Sequence, residues 1–448
     1  MLTKRCLNPL TLLLVAVVLL SAGVLSSGGS LAGTVGTVAP QPPSAASAGP
    51  FLIANTGRRP ASPMGTPGAL DPTFGNAGSV AFDLDNWAAL YAVAVQADGR
   101  IVAAGTASGA GCPYGMTNFL TLRLNGDGAV DPSFSAAPGP APDGTWRAIA
   151  IQGDGKIVLA GYSPRAGGIG MRLNGDGSKD ATFNWSMFES FSVLNAVAVQ
   201  PDGKLVFAGS QYTEDPVKVM DFLVLRYTVG GQPDATFGVN GVIQTNFGQY
   251  DGATAIGFQA DGKIVVVGGA DNQLAVARYN PDGQLDATFG AGGKVIFDWG
   301  GSEEAQAVAI KPDGKLLLAG ALDGNLLLAR LLPNGALDPT FGAGGKTSTD
   351  LGGADRALAL FVQPDGKLQV AGSSDGRFAL AQYTAAGVLD ASFGSGGILC
   401  SQRRRAHERW SHGHGRRRWA GGRRGALSRR RTARRRVWRQ RPGNSHAW

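Results

Sequence analysis

The sequence predicts an all-β fold, a β-propeller of four-stranded antiparallel blades, and three observations carry that reading. A motif of the type Leu-Asp-Pro-Thr-Phe-Gly recurs seven times, its Asp falling at steps of 60, 49, 54, 52, 52 and 52 residues. A second motif, Pro-Asp-Gly-Lys in its fullest form, runs in phase with it, with Asp98, Asp154, Asp202, Asp261, Asp313 and Asp365. Gly supplies 68 of 448 residues and only 17% are charged, a composition for many tight turns between apolar strands. Six complete repeats of about 52 residues, four short strands to each, match the spacing of propeller blades. A β-helix needs far shorter coils.

The elements of one unit show why. In the fifth unit, Lys294–Phe297, Ala307–Ile310, Leu316–Ala319 and Leu326–Leu331 read as strands. Pro312 and Asp313 start a turn, and Gly314 supplies the positive φ that closes the hairpin. The middle strands are nearly unbroken apolar runs, as expected of sheets covered on both faces. The repeated pairs Asp71 and Phe74, Asp131 and Phe134, Asp180 and Phe183, Asp234 and Phe237, Asp286 and Phe289, Asp338 and Phe341, and Asp390 and Phe393 read as scaffold. Each Asp is expected to bond backbone N–H groups and each Phe to pack between blades. An active site needs one copy, not seven. A third motif of the Arg-Leu-Asn-Gly-Asp-Gly type follows the last apolar run, at Arg123, Arg172, Arg226, Arg278 and Arg330.

At these residues the chain resembles the delta-60 repeat family, a bacterial domain expected to form β-propellers. The resemblance covers about residues 69–399 and rests on the Leu-Asp-x-Thr/Ser-Phe-Gly, Pro-Asp-Gly-Lys and Ala-Arg-Tyr/Leu-x-x-x-Gly motifs together. It implies the fold and no general activity, since fold does not supply function.

The two ends of the chain are of a different kind. Lys4 and Arg5 precede an apolar run from Leu10 to Leu20, and Ser30-Leu31-Ala32 is a small-residue cleavage site. Residues 1–32 therefore read as a signal peptide, and the mature protein as secreted, periplasmic or held at the cell surface. The run is short for a membrane span, and no other membrane contact is expected. Residues 33–68, rich in Pro, Gly, Ser and Ala, read as a linker.

Residues 400–448 form an Arg-rich tail. From 401 onward there are 17 Arg against the single acid Glu408, whereas residues 1–400 hold 24 basic and 32 acidic side chains. With four Trp among them, the arginines have the make-up of a nucleic-acid arm. Register argues otherwise. The repeat stops at Cys400 in mid-strand, and the next Pro-Asp-Gly aspartate is due at position 417. Arginine codons are mostly CGN, and two in succession read one nucleotide later give GNC, a codon for Asp, Gly, Ala or Val. Read that way, Arg417 to Gly425 permits Asp-Gly-Gly-Leu-Val-Val-Ala-Gly, in register with Asp313-Gly314-Lys315-Leu316-Leu317-Leu318-Ala319-Gly320. The tail thus reads as out of frame and disordered, with no specific nucleic-acid partner, and the parent as a seven-bladed ring.

Chemistry is sparse. All four His lie in the tail, which removes His-dependent triads and His-ligated zinc from residues 1–400. The three Cys, at 6, 112 and 400, make no disulfide framework. No cofactor is expected. Asn125-Gly126-Asp127-Gly128 faintly resembles a calcium loop but lacks its closing Glu, so the turn reading prevails. What departs from the repeat is more informative. Between the two Asp motifs a unit spans 25 or 26 residues, but 33 in the first and 32 in the third. The surplus falls around Gly109–Met116 and Gln211–Met220, making Cys112, Tyr114, Tyr212, Glu214, Asp215 and Lys218 the candidate binding-loop residues. Trp87, Trp146, Trp185 and Trp299 also break the repeat. The expectation is a monomeric exported binding or structural module for a protein or glycan, more in keeping with a non-enzyme. The alternative is a calcium-assisted, lactonase-like hydrolase at the channel mouth.

Overall fold

The structure is a computed structural model, and it describes residues 12–14, 70–82, 88–108, 117–183, 185, 192–213 and 219–400. It is an all-β, six-bladed propeller with no helix among the described residues. Blade 3 comprises Ser192–Val199, Leu205–Thr213, Val219–Tyr227 and Val242–Thr245. Blade 4 comprises Asp251–Phe258, Ile264–Ala270, Gln273–Tyr279 and Lys294–Phe297. Blade 5 runs through Glu303–Ile310, Leu316–Leu322, Asn325–Leu331 and Lys346–Thr349. Blade 6 runs through Asp355–Val362, Leu368–Ser374, Arg377–Tyr383 and Ile398–Cys400. In each, four consecutive strands pair antiparallel in sequence order from the axis outward.

Two details differ from the sequence reading. The strand that seemed to open a unit, Lys294–Phe297, pairs with Leu274–Ala277 and so forms the outer edge of the preceding sheet. The Asp-x-Thr-Phe motif therefore lies between the third and fourth strands of a blade. Blades 1 (Ala88–Val95, Ile101–Ser108, Thr117–Leu124) and 2 (Thr145–Ile151, Ile157–Ser163, Gly167–Leu173) have three strands each among the described residues. In blade 1 the place of the outer strand is taken by a segment carrying Pro138, Pro140 and Pro142. Proline has no N–H to give to a ladder.

Packing is organised blade against blade. Five apolar clusters join blades 1 and 2, 2 and 3, 3 and 4, 4 and 5, and 5 and 6. A sixth, small cluster sets Phe74 and Val80 of the first motif against Val93, Ile101 and Leu124 of blade 1. The innermost strands lie side by side from blade 1 through blade 6, but among the described residues blades 6 and 1 are not packed together in this way. The ring formed by the described residues is open on that side. Val80–Phe82 belongs to no blade and pairs antiparallel with Leu12–Leu14.

Every innermost strand carries one β-bulge, and a glycine in the second strand explains it. A Cβ on Gly320 would lie 1.8 Å from the carbonyl oxygen of Glu304, and the five equivalent glycines would meet the same clash. Only Gly admits so close a backbone approach. The extra residues lifted out of the ladder are Tyr91, Arg147, Asn195, Thr254, Gln306 and Leu358.

Candidate functional site

The motif aspartates make one construction repeated around the ring. In blade 4, Asp286 Oδ1 accepts the Thr288 N–H at 3.0 Å and its hydroxyl at 2.7 Å. Asp286 Oδ2 takes Arg278 Nε at 2.8 Å and Lys263 Nζ at 3.2 Å. The Arg278 guanidinium lies 4.5 Å over the ring of Phe289 and donates to the Pro333 carbonyl of the next blade at 2.5 Å. The same reach across the interface is made by Arg123 to Gly175, Arg172 to Val229, Arg226 to Pro281 and Arg330 to Ala385. Blade 6 differs, because Gln382 stands in place of Arg and bonds Asp390 of its own blade.

These bonds hold the carboxyls below their ordinary range. The Ser133 hydroxyl and N–H bring Asp131 down to about 2. Burial works against Asp234, but the Thr236 hydroxyl and N–H, Lys204 and Arg226 outweigh it and bring it to about 2 as well. Asp180 and Asp286 are depressed by the equivalent groups, and Asp338 and Asp390 most by Lys315 and Lys367. Phe237, Phe289 and Phe341 are fully buried, Phe74, Phe183 and Phe393 nearly so, and Phe134 half-buried. Asp71 turns its Oδ1 to the Thr73 N–H at 2.9 Å and the Thr73 hydroxyl at 2.6 Å.

The two ends of the ring are not alike. At the Pro-Asp-Gly-Lys end the turns repeat almost unchanged, and a cleft of about 510 Å³ between blades 4 and 5 is lined by the repeat's own Lys263, Arg278, Lys311 and Asp313. The opposite end carries the departures. There the second and third strands are joined by tight turns in blades 4, 5 and 6, with positive φ at Asp271 and Asn272, Asp323 and Gly324, and Asp375 and Gly376. In blades 1 and 3 the same connection widens into residues 109–116 and 214–218. Cys112, Tyr114, Glu214, Asp215 and Lys218 lie outside the described residues. Tyr212 is half-buried near the end of its strand, opposite Met220. Both loops leave the blades at one end.

Beside the blade 3 loop sits Tyr250, which the sequence reading missed. It is 62% exposed, forms a bridge with Met220, and gives its N–H to Asp271 Oδ1 at 3.0 Å. Ser302 and Ala354 hold the same place in blades 5 and 6, bonded alike to Asp323 and Asp375. The signal was available: one position in the repeat changes from small to aromatic.

The bulge residues border the axis near this same end. Arg147 donates to Asn195 Oδ1 at 3.0 Å, Asn195 to the Ala253 carbonyl at 2.9 Å and Thr254 to the Ala305 carbonyl at 2.6 Å, linking neighbouring blades around the channel. Although Arg147 is exposed to the channel, desolvation by the blades around it lowers its pKa, with Tyr91 and Tyr162 opposing, and it forms no ion pair among the described residues. Around the mouth, Asp251, Glu303 and Asp355 are buried. Asp251 and Glu303 each accept two N–H groups of the loop leading into their strand and Asp355 accepts that of Leu351, and each of the three keeps one oxygen unpartnered. No group of three or more His, Cys, Asp or Glu among the described residues is arranged to hold a metal.

The tryptophans serve packing. Trp146 is buried with its ring 4.3 Å from that of Phe119, Trp185 stacks on Tyr227 at 4.4 Å, and Trp299 stacks on Phe297 at 5.4 Å. Trp87 lies outside the described residues.

No curated protein matches the chain. A solved protein of unknown function from Dyadobacter fermentans is 13% identical, covering 66% of this chain and 91% of its own, with a TM-score of 0.39. A protein from Lactobacillus plantarum is 16% identical, covering 65% and 80%, with a TM-score of 0.41. A PL25 ulvan lyase is 11% identical, covering 68% and 80%, with a TM-score of 0.39. The family model for a β-propeller domain of unknown function, DUF5122, matches residues 96–134, 152–183, 200–237, 259–289, 311–341 and 363–393. Each matched segment falls within one blade, so each of the six blades is similar to the repeat that this model describes.

Proposed function

We propose that the protein is an exported propeller that acts as a binding module for a protein or a glycan, using the end of the ring where its loops emerge. The observation that carries this is the asymmetry of the two ends. The Pro-Asp-Gly-Lys end repeats the same turn, while the other end concentrates both widened loops, the exposed Tyr250 and the channel-mouth Arg147. An exposed aromatic ring and a guanidinium bonded only to an amide among the described residues suit the apolar face and the hydroxyl or carboxylate groups of a sugar. They also suit a protein surface. No nucleophile–base pair is present there among the described residues, which favours binding over turnover.

The test replaces residues 109–116 and 214–218 by two-residue Asp-Gly turns, as blades 5 and 6 have. Parent and trimmed proteins are compared on an array of purified polysaccharides and on immobilised secreted proteins from the same cells. Binding by the parent that the trimmed protein loses at an unchanged melting temperature supports the module. Binding that survives trimming, or metal-dependent hydrolysis of a probe by the parent, overturns it.

A further inference from the structure

We propose that the open side of the ring is the seat of a seventh blade, whose outer strand is Val80–Phe82 and whose first three strands are encoded after Cys400 in the frame one nucleotide later.

The N-terminal motif points to a missing sheet. In blades 3 to 5 the motif glycine gives its N–H to the strand 3 turn of the following blade: Gly238 to Asp282, Gly290 to Asn334 and Gly342 to Ala386. Gly75 does the same to Asp127 of blade 1. Leu70 to Phe82 is thus docked as the outer strand of a blade preceding blade 1, and Phe74 fills the place Phe289 fills between blades 4 and 5. The other three strands of that blade are not supplied by the described residues between 83 and 400. The Val80–Phe82 edge is competent to pair, since Leu12–Leu14 adds to it. Cleavage after residue 32 would free that edge.

The two walls of the opening are apolar and under-covered. On blade 6, Ala359, Ala371 and Phe378 are half-buried, while their blade 5 equivalents Ala307, Ala319 and Leu326 are buried. On blade 1, Leu120 and Leu122 are half-buried where Leu327 and Ala329 of blade 5 are fully buried. Gln369 stands where the other blades have Val or Leu. It is 5% exposed, donates to Gln382 at 2.9 Å and leaves its own Oε1 without a partner. A buried acceptor on an otherwise apolar wall calls for a donor from the absent side.

The occupant follows from length and register. One repeat step of 52 beyond Asp355–Tyr383 spans 407–435, inside the 48 residues that follow Cys400. The shifted frame puts an Asp-Gly turn and an apolar strand where the second strand of that blade belongs. A blade made of three C-terminal strands and one N-terminal strand would also tie the two ends of the ring together, closing a loop that covalent order leaves open.

The test is made on the exported chain. A gene with one nucleotide deleted in the codons for Gly397–Arg405 is compared with the gene as written, by thermal melting, apolar-dye binding and hydrogen exchange. The expected result is a melting temperature higher by at least about 5 °C, weaker dye binding, and new protection in blade 6, in blade 1 and in Val80–Phe82. Ala81→Pro should abolish much of that gain in the corrected chain and change little in the chain as written. A third chain carries a copy of the blade 5 segment 302–332 in place of 402–448, which asks whether the opening accepts a blade whatever the gene encodes. Unchanged melting and dye binding in both the corrected and the grafted chains overturns the proposal. A gain that Ala81→Pro leaves intact overturns the role given to Val80–Phe82.

Discussion

The interface between blades 4 and 5 and the exposed side of blade 6 are built from the same repeat, yet they differ in how they are finished. At the first, Phe289 is fully buried among Val265, Leu274, Leu316 and Leu327. Arg278 stacks on it and bonds across to Pro333. At the second, Gln382 replaces the arginine, Gln369 replaces an apolar residue, and among the described residues no apolar cluster lies beyond. A motif is therefore worth what its neighbour makes of it. The same Asp-x-Thr-Phe turn is a joint between blades at one place and a capped edge at another.

The largest effect that sharpens this contrast is expected from the motif phenylalanines. Phe289→Ala should cost about 3–5 kcal/mol, as large buried aromatic truncations do. Phe393→Ala should cost about half as much, because one side of its surroundings is missing and can relax. Chemical denaturation of both variants checks this. Equal losses would mean that blade 6 is as fully covered as blade 4. A loss below about 1 kcal/mol for Phe289 would mean that the blades do not rest on these rings.

A smaller effect per site comes from the aspartates. Their folded-state pKa values are depressed, to about 2 for Asp131 and Asp234, against about 3.9 unfolded. The stability they contribute is complete above the unfolded value and is lost as pH falls towards the folded one. The protein should thus weaken progressively between about pH 4 and pH 2, and little between about pH 7 and pH 5. Denaturation midpoints across that range give the test. Thr288→Val and Thr236→Val, which remove a hydroxyl bonded to the carboxylate, should each make the acid slope shallower. A slope that both leave unchanged would move the acid sensitivity to other groups, such as the buried carboxylates at the channel mouth.

Much of this architecture was legible in the sequence, because the repeat states blade number, strand order and turn chemistry many times over. The phase of the blades was not. Whether Lys294–Phe297 opens one sheet or closes another depends on hydrogen bonds to Leu274–Ala277, which no periodicity records. The pairing of Arg278 with Asp286 was hidden for a similar reason: the two are eight residues apart and meet only because a tight turn folds the chain back. The channel belt escaped notice because a bulge is a backbone irregularity. Its trace was the residue before the repeated Ala of each innermost strand, which runs Tyr91, Arg147, Asn195, Thr254, Gln306 and Leu358 while its surroundings stay constant. The candidate loops were found by counting residues, but a count says nothing of shape, and Tyr250, beside one of them, lay in a segment of ordinary length.

The smallest expected effect on stability belongs to that tyrosine. Tyr250→Ser should shift the unfolding free energy by no more than about 0.5 kcal/mol. The ring is 62% exposed, so little apolar area returns to water when it is removed. The backbone N–H that Asp271 accepts is untouched, and blade 5 already carries Ser302 in the same place with the same bond to Asp323. The repeat thus supplies its own control: serine is compatible with this turn, and the tyrosine is not required to form it. A ring kept where folding does not ask for it should matter to a partner, so the same substitution should weaken binding at the loop end at least about tenfold, roughly 1.4 kcal/mol. A destabilisation above about 1 kcal/mol would show that Tyr250 packs against the loop beside it and belongs to the scaffold after all. Intact binding with intact stability would leave the two widened loops, rather than this aromatic, as what the partner reads.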